Sequence, residues 1–359
     1  MKVYIIRRLM LIVPTIFGIL LVNFFIVQLT PGGPVERIVA RYTFGSDMRL
    51  YNNDDDPNDY ESSQTDVRSK NESSNSALIR ELETQFGFDK PAYVRFFSMT
   101  WDYLRFDFGR SYYRNESVLN IIIEKLPVSF SLAFWSTAIM YLIAIPLGIY
   151  KAVRDGTQFD AWSSFIINIF CAIPGFILAV LLIVLFAGGS YFNIFPVKGL
   201  VSANWNDLNL YDRIIDYLWH ITLPVICMAL SGFAVLTQLT KNSFMDELGK
   251  LYVMTARAKG LTKRVILLRH VFRNAMLIVI SGFPLTFLSM LFTGSMLIEV
   301  IFSLDGLGLL GFQSVSGRDY PIVFATLYIY TLMGLVFKLI SDIMLTMIDP
   351  RINFDAVHT

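Results

Sequence analysis

The sequence has little charge and little cysteine, and each shortage excludes a class of protein. Only 16% of its 359 residues are charged, against about a quarter in a soluble globular protein. The formal net charge of +1 gives no indication of nucleic-acid binding. The two cysteines, Cys171 and Cys227, both lie in apolar runs, which excludes a disulfide framework and a cysteine metal site. We expect both to be small buried side chains.

The signatures of catalysis are also missing from the sequence. It contains no Gly-x-x-x-x-Gly-Lys-Ser/Thr phosphate loop and no metal-ligand spacing. No Ser/His/Asp or metal constellation lies in the apolar runs, which argues against a membrane-embedded hydrolase. The alternating apolar and polar segments of a β-barrel are absent. The sequence also shows no convincing internal repeat, which secondary transporters usually have.

What the sequence does contain is long apolar runs. Hydrophobic residues make up 54% of the chain, and they gather into segments that reach the 20 or so residues a helix needs to cross a bilayer. In hydrocarbon every backbone polar group must be bonded internally, so these runs predict helices. The sequence therefore predicts an all-α integral membrane protein with six transmembrane helices. The predicted spans are 9–29, 128–150, 162–187, 221–239, 275–298 and 321–348.

The distribution of basic residues predicts the orientation of these spans. The first run follows Lys2, Arg7 and Arg8, as a signal peptide would, but its length suits a full span and residues 30–34 do not form a small-residue cleavage site. We therefore expect an uncleaved anchor. Basic residues are concentrated at the N-terminus and in the loops after the second and fourth spans, which predicts that both termini are cytoplasmic.

The spans divide the chain into four predicted regions. Residues 1–29 form the N-terminal anchor helix, and residues 30–117 form an extracytoplasmic segment with a polar, disordered insertion at about 45–76. Within that segment, the helix-like stretch 78–86 and the aromatic stretch 101–108 predict an ordered cap near the membrane surface. A membrane domain, 118–348, carries a cytoplasmic loop at 241–274, and residues 349–359 form a cytoplasmic tail.

The loop at 241–274 is predicted to be a short helix, a break and a second helix that leads into the fifth span. Ser243 with Asp246 indicates a capping box at the start, and Gly260 is placed as the C-terminal cap. Small side chains near this end would allow another protein to approach closely. The alternative interpretation is that alanine simply favours a helix and glycine simply ends one. The expected apolar face consists of Phe244, Leu248, Tyr252 and Ala256.

Residues 252–261 resemble the cytoplasmic loop motif of ABC importer permeases, in the form found in the dipeptide/oligopeptide/nickel family. Residues 254–256, Met-Thr-Ala, stand where the general motif has Glu-Ala-Ala, and residues 270–273 replace its Ile-x-Leu-Pro; both departures are usual in the peptide branch. Further resemblances lie at 14–18, 31–34, 106–111, 126–127, 145–148, 173–174, 303–308, 318–321 and 349–351. Residues 187–192, residues 199–204 and the insertion after the first span resemble the Yej-type branch, whose importers take up oligopeptides and peptide-nucleotide antibiotics such as microcin C.

This resemblance implies a type I ABC importer permease fold in the bacterial cytoplasmic (inner) membrane, and a transporter subunit rather than an enzyme. The implied partners are a homologous second permease, ABC ATPase subunits that bind ATP and Mg, an extracytoplasmic peptide-binding protein, peptide substrate and membrane lipid. No cofactor, metal ligand or catalytic residue is expected in this chain, and the resemblance does not identify substrate-binding residues. The residues expected to couple the chain to the ATPase are Phe244, Leu248, Tyr252, Thr255, Ala256, Arg257, Ala258, Lys259, Gly260 and Leu261.

Charged residues within the spans leave an alternative open. Lys338 and Asp342 lie four residues apart on one helix face, where they would form an internal ion pair or serve as the coupling groups of an ion-gradient-driven secondary transporter. Glu299 is expected at a solvated helix end. Kinks are expected at Pro146, Pro174, Pro224 and Pro284.

Overall fold

The structure is a computed structural model that describes residues 2–29, 90–114, 116–188, 191–292 and 296–348. These residues are almost entirely helical, with a 3₁₀ turn at Trp205–Asp207 and a π-helical turn at Ile266–Val271. The helices are α1 Lys2–Leu29, α2 Ala92–Leu104, α3 Val118–Val153, α4 Gln158–Ala172, α5 Gly175–Phe186, α6 Leu210–Leu248, α7 Leu251–Ala258, α8 Lys263–Val265, α9 Phe272–Phe292, α10 Met296–Ile301, α11 Leu307–Gly317 and α12 Tyr320–Ile348.

Several predictions fall outside the described residues. These are the helix-like stretch 78–86, the polar insertion at about 45–76 and the C-terminal tail 349–359. The described part of the predicted outer cap contains α2, whose helical residues begin at Ala92, nine residues earlier than the aromatic stretch suggested.

The predicted membrane spans are confirmed as helices. Within the part of the chain that the structure describes, five helical segments are long and apolar enough to cross a membrane, and a bent pair, α4 with α5, brings the number to six if the pair is one span. The five are Arg8–Ile26, Val118–Val153, Leu210–Leu248, Lys263–Ile301 and Tyr320–Met347. Three of the five, those that begin at Val118, Leu210 and Lys263, exceed the predicted spans, because these helices continue beyond the apolar runs into polar flanks.

The third predicted span is broken at Pro174. Helices α4 and α5 meet there at 90°. Proline lacks an N–H and disfavours helical backbone in the residue before it, and Ile173 is accordingly extended, with ψ 121°. The kink expected at Pro174 is therefore confirmed as a full break, whereas Pro146, Pro224 and Pro284 lie inside continuous helices.

The chain forms two compact units, and the larger comprises Met1–Ile12, Ile122–Gln313 and Ile329–Thr359. Helix α6 lies at the centre of this unit and packs against α4, α5 and α9. Its contact with α3 is close, since a Cβ on Gly148 would lie 2.7 Å from the carbonyl oxygen of Thr237. Both cysteines lie in this unit as free thiols; Cys227 is buried and Cys171 half-buried.

A buried carboxyl group, that of Glu299 in α10, organises the turn that leads into α11. Its oxygens accept hydrogen bonds from the Ser129 hydroxyl at 2.9 Å and the Leu309 N–H at 2.7 Å, and Ser129 in turn accepts from the Leu307 N–H at 2.7 Å. A Cβ on Gly306 would lie 2.5 Å from the Ser129 oxygen, so glycine is needed for this close approach. The expectation that Glu299 ends a helix in solvent is wrong, because it is fully buried and binds the N-terminus of α11.

The smaller unit comprises Val13–Ile121 and Ser314–Tyr328. Its described core is aromatic: Tyr103 of α2 meets Phe108 edge-on at 5.0 Å and Tyr328 of α12 at 5.5 Å. The hydroxyl of Ser111 donates to Asp319, which also accepts from the backbone of Tyr112. The segment after α2 is thereby bound to the residue that precedes α12.

Candidate functional site

The predicted loop helix does not start where the sequence suggested. Ser243 is an interior residue of α6, so the predicted capping box with Asp246 is wrong. The Ser243 hydroxyl donates instead to the Ala275 carbonyl of α9 at 2.5 Å. One residue on, the fully buried Phe244 ring meets Phe272 at 6.0 Å. These tertiary contacts extend α6 beyond its apolar run and fix its end to α9.

A break at Gly249 and Lys250 separates α6 from α7, so the helix predicted over 244–259 is in fact two helices. Glu247 lies buried beside this break, where it pairs with the Lys250 ammonium and accepts a hydrogen bond from the Tyr252 hydroxyl at 2.7 Å. Burial, with the hydrogen bond to the Glu247 carboxylate, raises the pKa of Tyr252 to about 12. The phenol donates to Glu247, and this hydrogen bond fixes the start of α7.

Helix α7 has one face packed on its own chain and one face open. Val253 and Ala256 are buried, and the helix packs against the π-helical turn. On the open side Leu251 is 79% and Met254 62% exposed. The small size of Ala256 is thus explained by packing within the chain, and the surface available to another protein is the one that Leu251 and Met254 define.

The ten predicted coupling residues fall into two groups. The expected apolar face points into the protein: Phe244 and Ala256 are buried, and Leu248 and Tyr252 are half-buried. The other residues lie at the surface in α7 and the turn after it; they are Thr255, Arg257, Ala258, Lys259, Gly260 and Leu261. Sequence reasoning missed Leu251 and Met254, although their three-residue spacing opposite a second apolar face was a visible signal.

Gly260 ends α7 as the sequence predicted. Its φ is +78°, the left-handed region that glycine occupies without strain. The Gly260 N–H donates to the Arg257 carbonyl at 2.9 Å, and the Leu261 N–H donates to the Ala256 carbonyl at 3.3 Å. This is the hydrogen-bond pattern of a Schellman motif, which satisfies carbonyls at the helix end. The turn into α8 is therefore set by local backbone chemistry.

A buried ionic network joins Lys241, near the end of α6, to the turn between α3 and α4. The Asp160 carboxylate lies between the ammonium groups of Lys151, at 3.1 Å, and Lys241, at 2.7 Å. Lys241 also pairs with Asp155 at 2.7 Å, so two carboxylates balance two lysines. In the sequence, Lys151 and Lys241 indicate only the orientation of the spans. The partner role of Asp160 has no local signal, because Asp160 and Lys241 lie 81 positions apart.

The two charges of α12 form the expected ion pair. The Lys338 ammonium lies 3.7 Å from the Asp342 carboxylate, which also contacts the guanidinium of Arg8 in α1. Asp342 is buried, whereas the Lys338 side chain is about half exposed. This arrangement ties α12 to α1 and agrees with a packing role for the pair.

Long apolar helices, with a firmly held surface helix between α6 and α9, define an integral membrane protein. Comparison with known proteins gives the family. Residues 144–354 match the binding-protein-dependent transport system inner membrane component family, and the chain belongs to it. It is therefore a multi-pass inner membrane permease of an ABC importer, as the sequence resemblance implied.

Relatives match along the whole chain. The inner membrane ABC transporter permease protein YejB of Escherichia coli O157:H7 is 54% identical over 99% of this chain and 100% of its own. The peptidoglycan transport system permease protein YejB of Agrobacterium fabrum is 56% identical over 99% of both chains. The oligopeptide transport system permease protein AppB of Bacillus subtilis is 31% identical over 99% of this chain and 100% of its own. An inward-facing MetNI methionine ABC transporter structure aligns with a TM-score of 0.48 and 16% identity over 64% of this chain and 97% of its own.

Proposed function

We propose that this permease translocates oligopeptides across the inner membrane, driven by ATP that partner ATPase subunits bind with Mg and hydrolyse. Full-length relatives support the substrate class, since their names include oligopeptide and peptidoglycan transport, and peptidoglycan carries peptide stems. Peptide-nucleotide antibiotics, expected from the resemblance to the Yej-type branch, share the same peptide backbone. The ion-gradient alternative has no support among these relatives.

The proposed complex contains a second, homologous permease, ATPase subunits and an extracytoplasmic peptide-binding protein. In its topology both termini are cytoplasmic. Six crossings, with α4 and α5 as one bent span, return the chain to the side on which it began, and α7 follows the fourth crossing. A membrane-impermeant thiol reagent on intact spheroplasts should label cysteine introduced at Ser62 but not at Lys263. The reverse pattern would reject this topology.

The observation that supports the coupling role most directly is the exposed apolar pair on α7. Leu251 and Met254 project from a helix that is packed on its other face and hydrogen-bonded at its end. Large apolar side chains held rigidly at a polar surface are typical of protein contacts. The proposed partner is an ATPase subunit, and α7 with Thr255, Arg257, Ala258, Lys259, Gly260 and Leu261 would form the contact.

A carboxylate placed at this contact tests the proposal. Leu251→Glu or Met254→Glu would bury an unpaired charge at the interface, so ATPase retention on the purified permease should fall about tenfold or more. Peptide uptake should fall with it. Leu210→Glu is the matched control: Leu210 is 77% exposed at the opposite end of α6, and the change should leave ATPase retention unaltered.

Two outcomes would count against this role of α7. The first is normal ATPase retention and normal peptide-stimulated hydrolysis in both glutamate variants. The second is equal loss of ATPase in the Leu210→Glu control, which would indicate a general effect of added charge. Neither outcome bears on the substrate class, which is tested separately by competition for uptake between labelled tripeptides and unlabelled peptides or amino acids.

A further inference from the structure

Helix α2 is apolar on two adjacent faces, of which one is packed on membrane spans. The buried ring of Phe96 meets Phe17 and Phe24 of α1 edge-on, with centroids 5.3 and 5.5 Å apart. Near the other end of α2, the buried Tyr103 meets Tyr328 of α12 at 5.5 Å. The helix therefore reaches from one membrane span to another.

The second apolar face of α2 is open. An aromatic stripe at helical spacing lies there, and each of its four side chains is between 54% and 66% exposed. The stripe consists of Tyr93, Phe97, Trp101 and Leu104. Ser98 and Asp102, both exposed, occupy the remaining polar side of the helix. The Arg105 guanidinium lies over the Trp101 ring at 4.6 Å, at the end of the stripe.

The contacts of α2 show how far it lies from the end of α1 and from the start of α12. Phe24 and Phe17 lie five and twelve residues before the end of α1, about 8 and 18 Å at 1.5 Å per residue. Tyr328 lies eight residues, or about 12 Å, after the start of α12. Both ends of α2 thus contact the spans at similar depths, so the helix runs roughly parallel to the membrane surface.

This depth falls within the hydrocarbon. Helices α1 and α12 have 28 and 29 residues, about 42 Å, and a hydrocarbon core of about 30 Å leaves roughly 6 Å of a centred helix outside at each end. The contacts of α2 then lie about 2–12 Å inside the hydrocarbon boundary. At this depth α1 also exposes apolar side chains, those of Val22, Phe25 and Ile26. The exposed stripe of α2 therefore lies at a level where an apolar surface is expected to meet lipid.

We propose that α2 is an interfacial membrane helix whose stripe of Tyr93, Phe97, Trp101 and Leu104 contacts lipid acyl chains. With the topology proposed above, this is the outer leaflet. Ser98 and Asp102 face the headgroups and water, and Arg105 reaches the headgroup phosphates, as aromatic and basic side chains do at membrane interfaces. Lipid contact on this side would hold α1 and α12 at a fixed depth.

Neighbouring residues on the two sides of α2 provide the test. A nitroxide label is attached at Phe97→Cys or, as the matched control, at Ser98→Cys, in a chain that also carries Cys171→Ala and Cys227→Ala. The purified importer complex is reconstituted in phosphatidylethanolamine–phosphatidylglycerol vesicles, and label collisions with oxygen and with a water-soluble nickel chelate are compared. The oxygen-to-nickel ratio should be several-fold higher at residue 97 than at residue 98.

Two results would overturn the proposal. A label at residue 97 as accessible to nickel as the label at residue 98 would place the stripe in water. A label shielded from both reagents would show that protein covers the stripe, either residues 30–89 of this chain or a partner. Tyr93→Cys with Asp102→Cys repeats the comparison one turn away, so the test remains decisive if one labelled variant fails to assemble.

Discussion

Asp160→Asn should destabilise the permease more than any other single neutralisation in the network around α4. The change removes the shared carboxylate and leaves two buried lysines, Lys151 and Lys241, with less compensation. Loss of one partner from a buried ion pair typically costs 3–5 kcal/mol. Lys151 retains hydrogen bonds to the Ser163 and Ser164 hydroxyls, at 2.9 and 2.6 Å, so we expect about 3 kcal/mol, the lower end of that range.

The same network supplies both a control and a compensating change. Asp155→Asn removes a carboxylate whose side chain is 46% exposed, so it should cost at most about 1 kcal/mol. Combining Asp160→Asn with Lys241→Gln removes one charge of each sign. The double variant should therefore be more stable than the sum of the two single changes predicts.

The assay is the thermal midpoint at which the purified permease in detergent leaves the monodisperse peak in size-exclusion chromatography. The expected order of midpoints is unmutated protein, Asp155→Asn, the double variant and Asp160→Asn. Equal midpoints for Asp155→Asn and Asp160→Asn, or strictly additive effects in the double variant, would refute the electrostatic reasoning.

Three further predictions concern single positions. Gly260→Ala places a side chain at a left-handed backbone position, which costs about 1–2 kcal/mol, and should weaken ATPase retention. Gly249→Ala is the control: its φ of −79° suits any residue, so ATPase retention should not change. Glu299→Ala leaves the N–H at the start of α11 without its acceptor, so the thermal midpoint should fall by the equivalent of about 1–3 kcal/mol. Lys338→Gln should lower the midpoint less than Asp342→Asn, because Asp342 is buried and also contacts an arginine; the reverse order would contradict this.

The fold could be predicted from the sequence to the extent that it depends on local chemistry. Span positions follow from apolar length, because a bilayer requires about 20 apolar residues with internally bonded backbones. The C-terminal cap at Gly260 follows from one residue's freedom at positive φ. The break at Pro174 follows from a missing N–H and from the clash with the preceding residue. Each of these depends on neighbours within a few positions along the chain.

The remaining features depend on contacts distant in sequence. The sequence around Ser243 is typical of a helix cap. In the structure its hydroxyl donates instead to a carbonyl 32 residues away, and Ser243 lies inside α6. Glu299 looks like a solvated helix end until Ser129, 170 positions earlier, meets it in the core. Ala256 looks like an approach point for a partner until α7 folds back on the chain and buries it. Substituting glutamate at Ala256 would therefore damage this permease's own packing before it could report on an ATPase.

The end of α6 carries two sets of contacts within one turn, and they explain how a small surface helix could move several spans together. Lys241 binds Asp160 at the start of α4, while Ser243 binds Ala275 of α9, two residues apart on the same helix. Beside the break that follows, Glu247 holds the first turn of α7. Because packed interiors transmit displacement rather than absorb it, a force on α7 would reach α4, α6 and α9 together. Such a rigid connection suits a permease that must open its translocation path to one side of the membrane at a time. A flexible loop in its place would move by itself and leave the spans where they were.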